Sequence, residues 1–338
     1  MTPQLSVIML AYGEEEWLGA AVDAVLASTG VSLEIVLVDN GCTSDAVSRV
    51  AGREGVRVIR PSTNLGFAGG VNLGVRESRA PFIAMVNSDA EVEPDCLRLL
   101  VERAGDESVG IAGALVLLAD QPNKVNSAGN PLHVLGLCWA GQMGEDAARV
   151  PEVADVASAS GATMVLRRTV WDDLGGFPGQ FFAYLEDLEL SWRCWQRGLR
   201  VEVLADARVR HHYEFGRSPL KMYLVERNRW LFLLTCHELK TLALLALPLL
   251  AFDVALLAVA ASQGWARQKV RSWGWVLRHP GWIRRRRRLV QGTRTVSDQH
   301  LTRLLTDRFD PAQMALPAAA QPLESLLRAY WRLVRPLV

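Results

Sequence analysis

Four groups of polar residues in this 338-residue chain have the types and spacing from which chemistry is built. The first is Asn87-Ser88-Asp89, directly after the apolar run Phe82–Val86. A carboxylate at the end of a buried strand can hold a divalent cation, and magnesium or manganese binds through one or two carboxylates plus nucleotide phosphates. The same tripeptide is also an ordinary turn, with Asp89 capping the next helix. The second group is Glu186, Asp187 and Glu189, ahead of Trp192-Arg193. Helical spacing puts Glu186 and Glu189 on one face, with Asp187 about 100° away. One of these acids can serve as the general base that takes a proton from an acceptor hydroxyl. Acids in a first turn are equally ordinary helix-dipole partners.

The third group is the run from Asn64 to Gly74, with Gly66, Gly69 and Gly70 ahead of a helical segment. Glycines there let backbone approach a ligand and turn amides toward an anion, although a plain glycine-rich turn reads the same way. It is not the dinucleotide fingerprint, which follows a first strand. The fourth is His211-His212, closing the strand-like Ala207–Arg210. An imidazole there can complete a carboxylate site around manganese.

These groups need elements to hold them. Leu5–Leu10, Leu33–Val38, Val56–Ile59 and Phe82–Val86 are apolar runs of strand length, and helical segments such as Glu14–Ser28 alternate with them. That alternation predicts an α/β fold with a mostly parallel central sheet covered on both faces. Ligands in such sheets bind beyond the carboxyl ends of the strands. Ala11–Tyr12, Asp39–Asn40 and Asn87–Asp89 are therefore expected at one site. Further on, order resumes at Ala159–Arg167, Leu185–Arg197, Arg200–Leu204 and Ala207–His212.

Half of the residues are hydrophobic and 22% are charged, a globular balance that excludes disorder. Five scattered cysteines without a C-x-x-C pair argue against a zinc site or a disulfide framework. No signal peptide is expected at the N-terminus. The net charge of +1 conceals a basic block, since the segment Trp265–Val290 holds nine Arg or Lys and no acid. Leu242–Ala261 is almost wholly apolar and long enough to span a bilayer. Yet Asp253 near its centre costs about 2.5–3.5 kcal/mol on an insertion scale, and both flanks are basic. An interfacial or re-entrant hairpin is the favoured reading, ahead of a true span or a buried soluble helix. Trp265, Trp273, Trp275 and Trp282 among the arginines suit a headgroup-level surface. A polar-faced helix is expected within 317–338, after an Ala/Pro linker. Nucleic-acid binding is not expected, because no recognition fold accompanies the arginines.

Taken in order, these elements resemble the family 2 glycosyltransferases of the GT-A fold. The segments SVIMLAY, VLVDNGCTSD, NLGFAGGVNLG, NSDAEVEP, SGATMVLRR, GGFPGQFFAYLEDLELSWR and ARVRHH follow one another between about Leu5 and Leu234. The resemblance implies a GT-A-type nucleotide-sugar-binding domain over 1–234 and a C-terminal helical, membrane-associating region over 235–338. It implies that Ala11 and Tyr12 lie against the nucleobase and that Asp39 binds base or ribose. Asn64, Gly66 and Asn72 would line the nucleotide and sugar, with Asn87 and Ser88 also on the donor side. Asp89 would be the metal-binding acid of the family's D-x-D motif. Asn87 replaces the first Asp, as in the branch resembling bacterial rhamnosyltransferases. His211 would be a further ligand of Mg2+ or Mn2+, and His212 the lesser choice. Asp187 corresponds to the catalytic base, with Glu186 as neighbour and fallback.

The implied activity is inverting, metal-dependent sugar transfer from a dTDP- or UDP-sugar, with dTDP-rhamnose the first choice. The acceptor would be a saccharide or a lipid-linked molecule at the cytoplasmic face of a membrane, in cell-envelope glycan synthesis. Two alternatives stay open: a nucleotidyltransferase, and a non-catalytic membrane scaffold that retains the fold. Against the first, the loop after the opening strand reads Ala-Tyr-Gly-Glu-Glu rather than glycine-rich.

Overall fold

A computed structural model describes residues 2–212, 216, 218–310 and 321–338. They form two compact units, Met1–Asn130 with Ala140–Cys194 and Leu199–Glu214, and Pro131–Trp139 with Trp195–Gly198 and Phe215–Val338. The boundary expected at 234/235 lies inside the second unit, because the helix that ends at Cys236 belongs to it.

The first unit contains β1 (Leu5–Gly13), β2 (Leu33–Cys42), β3 (Val56–Ile59), β4 (Phe82–Val86), β5 (Ala90–Val92), β6 (Val109–Leu118) and β7 (Gln121–Ser127). Together with β9 (Val153–Asp155), β10 (Thr163–Arg167) and β11 (Arg200–His211), they make one ten-stranded sheet; the short β8 (Leu132–His133) lies in the second unit. Its order is β3-β2-β1-β4-β10-β6-β11-β5, with β7 on β6 and β9 on β11. The strands β3-β2-β1-β4 are parallel, as are β6 and β11. β10 enters antiparallel between β4 and β6. The sheet is therefore mixed, and its reversal places the start of β10 beside the end of β4, with Thr163 opposite Val86.

The fully buried side chains of β1, β2 and β4 fit the apolar runs read from sequence. Helices α1 (Leu18–Leu26), α2 (Ala46–Val50), α3 (Gly66–Glu77) and α4 (Cys96–Ala104) follow β1, β2, β3 and β5. α5 (Arg168–Leu174) follows β10, and α6 (Glu186–Gln196) precedes β11. α1 buries Leu18, Ala21, Val22 and Val25, at helical spacing. It starts four residues later than the predicted Glu14, because Glu15 turns back and accepts a hydrogen bond from the Tyr12 amide at 2.7 Å. The two predicted strands at 200–212 are a single strand, β11, whose register shifts between Leu204 and Arg208.

Glycines set how closely α3 lies on the sheet. A Cβ on Gly74 would meet Ile8 Cγ2 at 2.5 Å and Val38 Cγ2 at 3.3 Å. One on Gly70 would meet Leu10 Cδ1 at 2.2 Å. Gly70 and Gly74 therefore serve helix-on-sheet packing from inside α3.

The second unit contains α7 (Pro219–Cys236), α8 (Leu239–Ser262), α9 (Ala266–Arg278), α10 (Pro280–Gly292), α11 (Asp298–Leu301), α12 (Gln321–Val334) and the two-stranded pair of β8 with β12 (Leu305–Thr306). α8 runs through Pro248 without a turn, so the re-entrant hairpin is corrected to one continuous helix. Only 17% of its apolar window is buried, which also removes the reading as a buried soluble helix. Trp265 is buried, and Trp273 donates its indole N–H to Asp253 at 2.6 Å, so these two face the interior rather than a headgroup surface. The expected tail helix is α12, with 317–320 outside the described residues. Its exposed residues are mixed, Ser325 and Arg332 beside Leu323, Leu326 and Leu333.

Gly74→Val should push α3 off β1 and β2 and cost about 1–3 kcal/mol, the usual penalty of overpacking. Urea unfolding of the variant and the parent protein measures the difference.

Candidate active site

Strand direction gathers the predicted residues. The carboxyl ends of β1, β2 and β4 point the same way, with Ala11 opposite Asp39. The Ala11 side chain is buried in the core, so only its main chain is available to a ligand. Tyr12 is 58% exposed, and its ring edge lies 3.7 Å from where a Cβ on Gly41 would sit. Asp39 stands beside it, accepting from the Cys42 amide at 3.0 Å through Oδ1 and pairing through Oδ2 with Arg60 Nε at 3.2 Å. Tyr12, Asp39 and Arg60 thus border one open ledge.

Asn40 fixes the next segment. Its Oδ1 accepts from the Leu65 amide at 2.8 Å and its Nδ2 donates to Asn64 Oδ1 at 2.9 Å, while Asn64 Oδ1 also accepts from the Gly66 amide at 2.8 Å. Gly66 has φ +70°, and a Cβ there would meet the Phe182 carbonyl oxygen at 2.3 Å. Asn72 uses both ends of its amide on the Phe177 main chain, at 3.0 Å each. Of the three residues expected to line the donor, Asn72 is therefore a loop clamp, and Asn64 and Gly66 hold the turn that meets Phe182. That contact is the connection to the second acidic element.

The segment from Phe182 to Leu185 leads into Glu186 and Asp187, and Phe182, Tyr184 and Leu185 have φ of +64°, +72° and +66°. Three side-chain-bearing residues in the left-handed region cost on the order of 1–3 kcal/mol each and collect at functional sites. The Phe182 carbonyl accepts from the Ala68 amide at 3.0 Å, which ties this strained segment to α3. Asp187 is partly exposed and accepts from the Gly161 amide at 3.1 Å. The next residue, Ala162, accepts from the Asn87 amide at 2.9 Å. One dipeptide at the start of β10 therefore holds the Glu-Asp pair on one side and the end of β4 on the other.

Glu186 is 6% exposed, and its Oε2 has no hydrogen-bond partner among the described residues. Burial, together with neighbouring Asp187, pushes its carboxyl up to about 8, which favours the uncharged form. Burial also raises Asp187, opposed by the amides of Gly161 and Leu188 that favour the carboxylate. Glu189, fully buried, pairs with Arg193 at 2.7 Å and is structural.

At the end of β4, Asp89 Oδ1 lies 3.1 Å from His211 Nε2, because β11 brings His211 opposite Ala90. His211 Nδ1 is 2.9 Å from Asn126 Oδ1, a contact that orients the ring with Nε2 toward Asp89. The pair makes a hydrogen bond here, and a carboxylate and an imidazole nitrogen this close can also share a cation; the Asp89 side chain is 37% exposed. Among the described residues no cluster of three or more His, Cys, Asp or Glu forms a closed metal cage. One carboxylate and one imidazole suit a cation that takes its remaining ligands from substrate and water. His212 is committed elsewhere: Nε2 is 2.6 Å from Glu91, and its ring stacks on Trp17 at 3.6 Å.

Three neighbours of this centre were not anticipated. Asn126 orients His211, Trp17 clamps His212, and buried Glu15 joins the Tyr12 amide to Ser88. Burial holds the Glu15 carboxyl above the usual range. Only Glu15 carried a signal, as an acid at the start of the expected helical segment Glu14–Ser28.

A mixed α/β sheet with an acid at the end of β4 and a Glu-Asp pair facing the same segment defines the GT-A class of nucleotide-sugar folds. The chain belongs to the glycosyltransferase-like family 2, whose profile matches residues 3–232. It is similar to the succinoglycan biosynthesis protein ExoO of Rhizobium meliloti, 34% identical over 113 residues, covering 32% of each chain. It is also similar to the N-acetylglucosaminyl-diphospho-decaprenol L-rhamnosyltransferase of Mycobacterium tuberculosis, 25% identical over 70% of this chain and 86% of that one. The chain thus spans about a third of the first relative and most of the second. In fold it resembles the mannosyltransferase PcManGT of Pyrobaculum calidifontis, solved with GDP-Man and Mn2+. The TM-score is 0.52 at 15% identity, over 100% of this chain and 88% of that one.

A group whose folded pKa is raised stabilises fully below its unfolded value and loses that contribution as pH climbs through the folded one. For Glu186 the window runs from about 4.5 to about 8. Glu186→Gln should therefore gain stability relative to the parent protein as pH rises across that window. Urea midpoints at pH steps between 5 and 9 measure the gain; a pH-independent difference contradicts the buried neutral acid.

Proposed function

We propose that the chain is an inverting glycosyltransferase that moves a sugar from a nucleoside diphosphate donor to an acceptor hydroxyl. The observation that carries this reading is the Gly161-Ala162 bridge, which keeps Asp187 and the Asn87–Asp89 strand end on opposite sides of one main-chain segment. In the proposed mechanism Tyr12 and Asp39 receive the base and ribose. Asp89 and His211 would hold a divalent cation, Mg2+ or Mn2+, which when bound supplies positive charge to the departing diphosphate. Asp187 accepts the proton of the acceptor hydroxyl as its oxygen forms a bond to the anomeric carbon from the face opposite the diphosphate. The carbon–phosphate-oxygen bond breaks with its electron pair on the diphosphate, so a single displacement inverts the centre. Glu186, neutral and buried, keeps a second negative charge away from Asp187 and leaves the proton-accepting role to its neighbour.

dTDP- and UDP-sugars are the proposed donors, with dTDP-rhamnose first, in line with the rhamnosyltransferase relative. The proposed acceptor is a saccharide or lipid-linked molecule in cell-envelope glycan synthesis, met at the cytoplasmic face of a membrane. The apolar helix α8 supports the membrane setting.

Asp187→Asn should lower turnover by orders of magnitude and leave nucleotide binding intact. The assay is nucleotide release from a panel of nucleotide sugars, read beside nucleotide-dependent thermal stabilisation. Near-normal turnover in the variant removes Asp187 from the mechanism. Asn126→Ala, which frees the His211 ring, should weaken Mn2+ binding by roughly 10–100-fold, as loss of an outer hydrogen-bond partner does. Isothermal titration of Mn2+ in the presence of nucleoside diphosphate checks it.

A further inference from the structure

We propose that the second unit seats on an anionic lipid surface with α8 lying flat in the headgroup–acyl boundary, not crossing the bilayer. The proposal rests on the reading that the protein works at a membrane, and it decides how. α8 is 24 residues long, about 36 Å, and by length and composition alone it could span. Its outward residues Leu247, Leu250 and Val254 are 72%, 63% and 60% exposed and share one helical face.

The inward face contains Asp253, and its partners argue against a crossing. Its carboxylate pairs with Arg229 of α7 and with Lys269 of α9, the latter at 3.2 Å. It also accepts the indole N–H groups of Trp230 at 3.0 Å and Trp273 at 2.6 Å. Glu226 completes the cluster, 2.6 Å from Lys269 and 3.3 Å from Arg229. Arg229 and Lys269 are fully buried, so the cluster is a fixed joint of three helices well inside the length of α8. Putting α8 across a bilayer would carry that joint into the hydrocarbon, along with exposed Arg267 and Arg271 on either side of Lys269. Lying flat needs no such transfer, because only the apolar stripe leaves water.

Charge selects the lipid. Between Trp265 and Val290 there is no acid, and of the nine cations Lys269 is taken up by the buried cluster while Arg267, Arg271, Arg284 and Arg285 are exposed. A surface of that sign is complementary to anionic headgroups and gains little from zwitterionic ones. α12 adjoins α8 through Tyr330, which donates to the Leu244 carbonyl at 2.6 Å, and adds exposed Leu326 and Leu333.

The test uses the full chain and phosphatidylcholine vesicles with or without phosphatidylglycerol. The expected result is a monomer in solution that cosediments with the anionic vesicles, binds the neutral ones weakly and is released by alkaline carbonate. Leu247→Glu with Leu250→Glu should weaken vesicle binding by about tenfold or more, and Arg284→Glu with Arg285→Glu should remove the preference for anionic lipid. Both pairs are exposed, and an unchanged melting temperature shows that they fold. Retention through carbonate overturns the proposal in favour of a span. Equal binding to both vesicle types overturns the lipid class. A lipid-free dimer abolished by the leucine pair overturns it in favour of a second copy. Nucleotide-dependent thermal stabilisation, recorded on the same preparations without vesicles, reads the transferase site independently of the lipid result.

Discussion

The hydrogen bond from the Asn87 amide to the Ala162 carbonyl exists because β10 runs against β4, so the first residues of one strand stand beside the last residues of the other. Gly161, one position earlier, donates to Asp187. A purely parallel sheet would put the start of β10 at the opposite edge, and the Glu-Asp pair would have no anchor at the end of β4. The reversal thus converts two acidic segments nearly a hundred residues apart into one polar site. The left-handed residues Phe182, Tyr184 and Leu185 fit the same constraint, since the chain must turn sharply to deliver Glu186 and Asp187 to that anchor.

Electrostatics then divides labour among similar groups. Of two adjacent acids, Glu186 is buried and raised toward neutrality, while Asp187 keeps two amide donors that favour its charge. Of two adjacent histidines, His211 turns its Nε2 to Asp89, while His212 is held between Trp17 and Glu91. The second unit shows the same economy in another form. Asp253, an acid inside a hydrophobic helix, is offset by Arg229 and Lys269 from its neighbours, and breaking such a buried group apart would be strongly destabilising.

Much of the frame was legible because its signals are local. Four apolar runs became β1 to β4, and the polar residues at the ends of β1, β2 and β4 lie at one edge of the sheet, since strand direction alone brings carboxyl ends together. What escaped depends on contacts between distant segments. Glu15 was read as the first turn of a helix, but a bond back to the Tyr12 amide delays α1 to Leu18. Asn72 reads from sequence as a donor contact, and in the fold its amide is held by Phe177, far along the chain. Asn126 and Trp17 gave no sign of function in sequence, because each acquires it only by touching a histidine at the end of β11. Pro248 and Asp253 suggested an interrupted membrane segment; partners on α7 and α9 let the helix run unbroken.

The proposed transfer requires that Asp89 and His211 share one cation and that Asp187 face the same cleft. A crystal structure of the protein with Mn2+ and a nucleoside diphosphate, recorded at the manganese absorption edge, measures this directly. The expected result is one anomalous peak about 2–2.5 Å from Asp89 Oδ1 and His211 Nε2, bridged to the diphosphate, with the Asp187 carboxylate opening onto the space beyond it. A peak away from that pair, or an Asp187 side chain turned to a different surface, would mean that the two acids do not share a site.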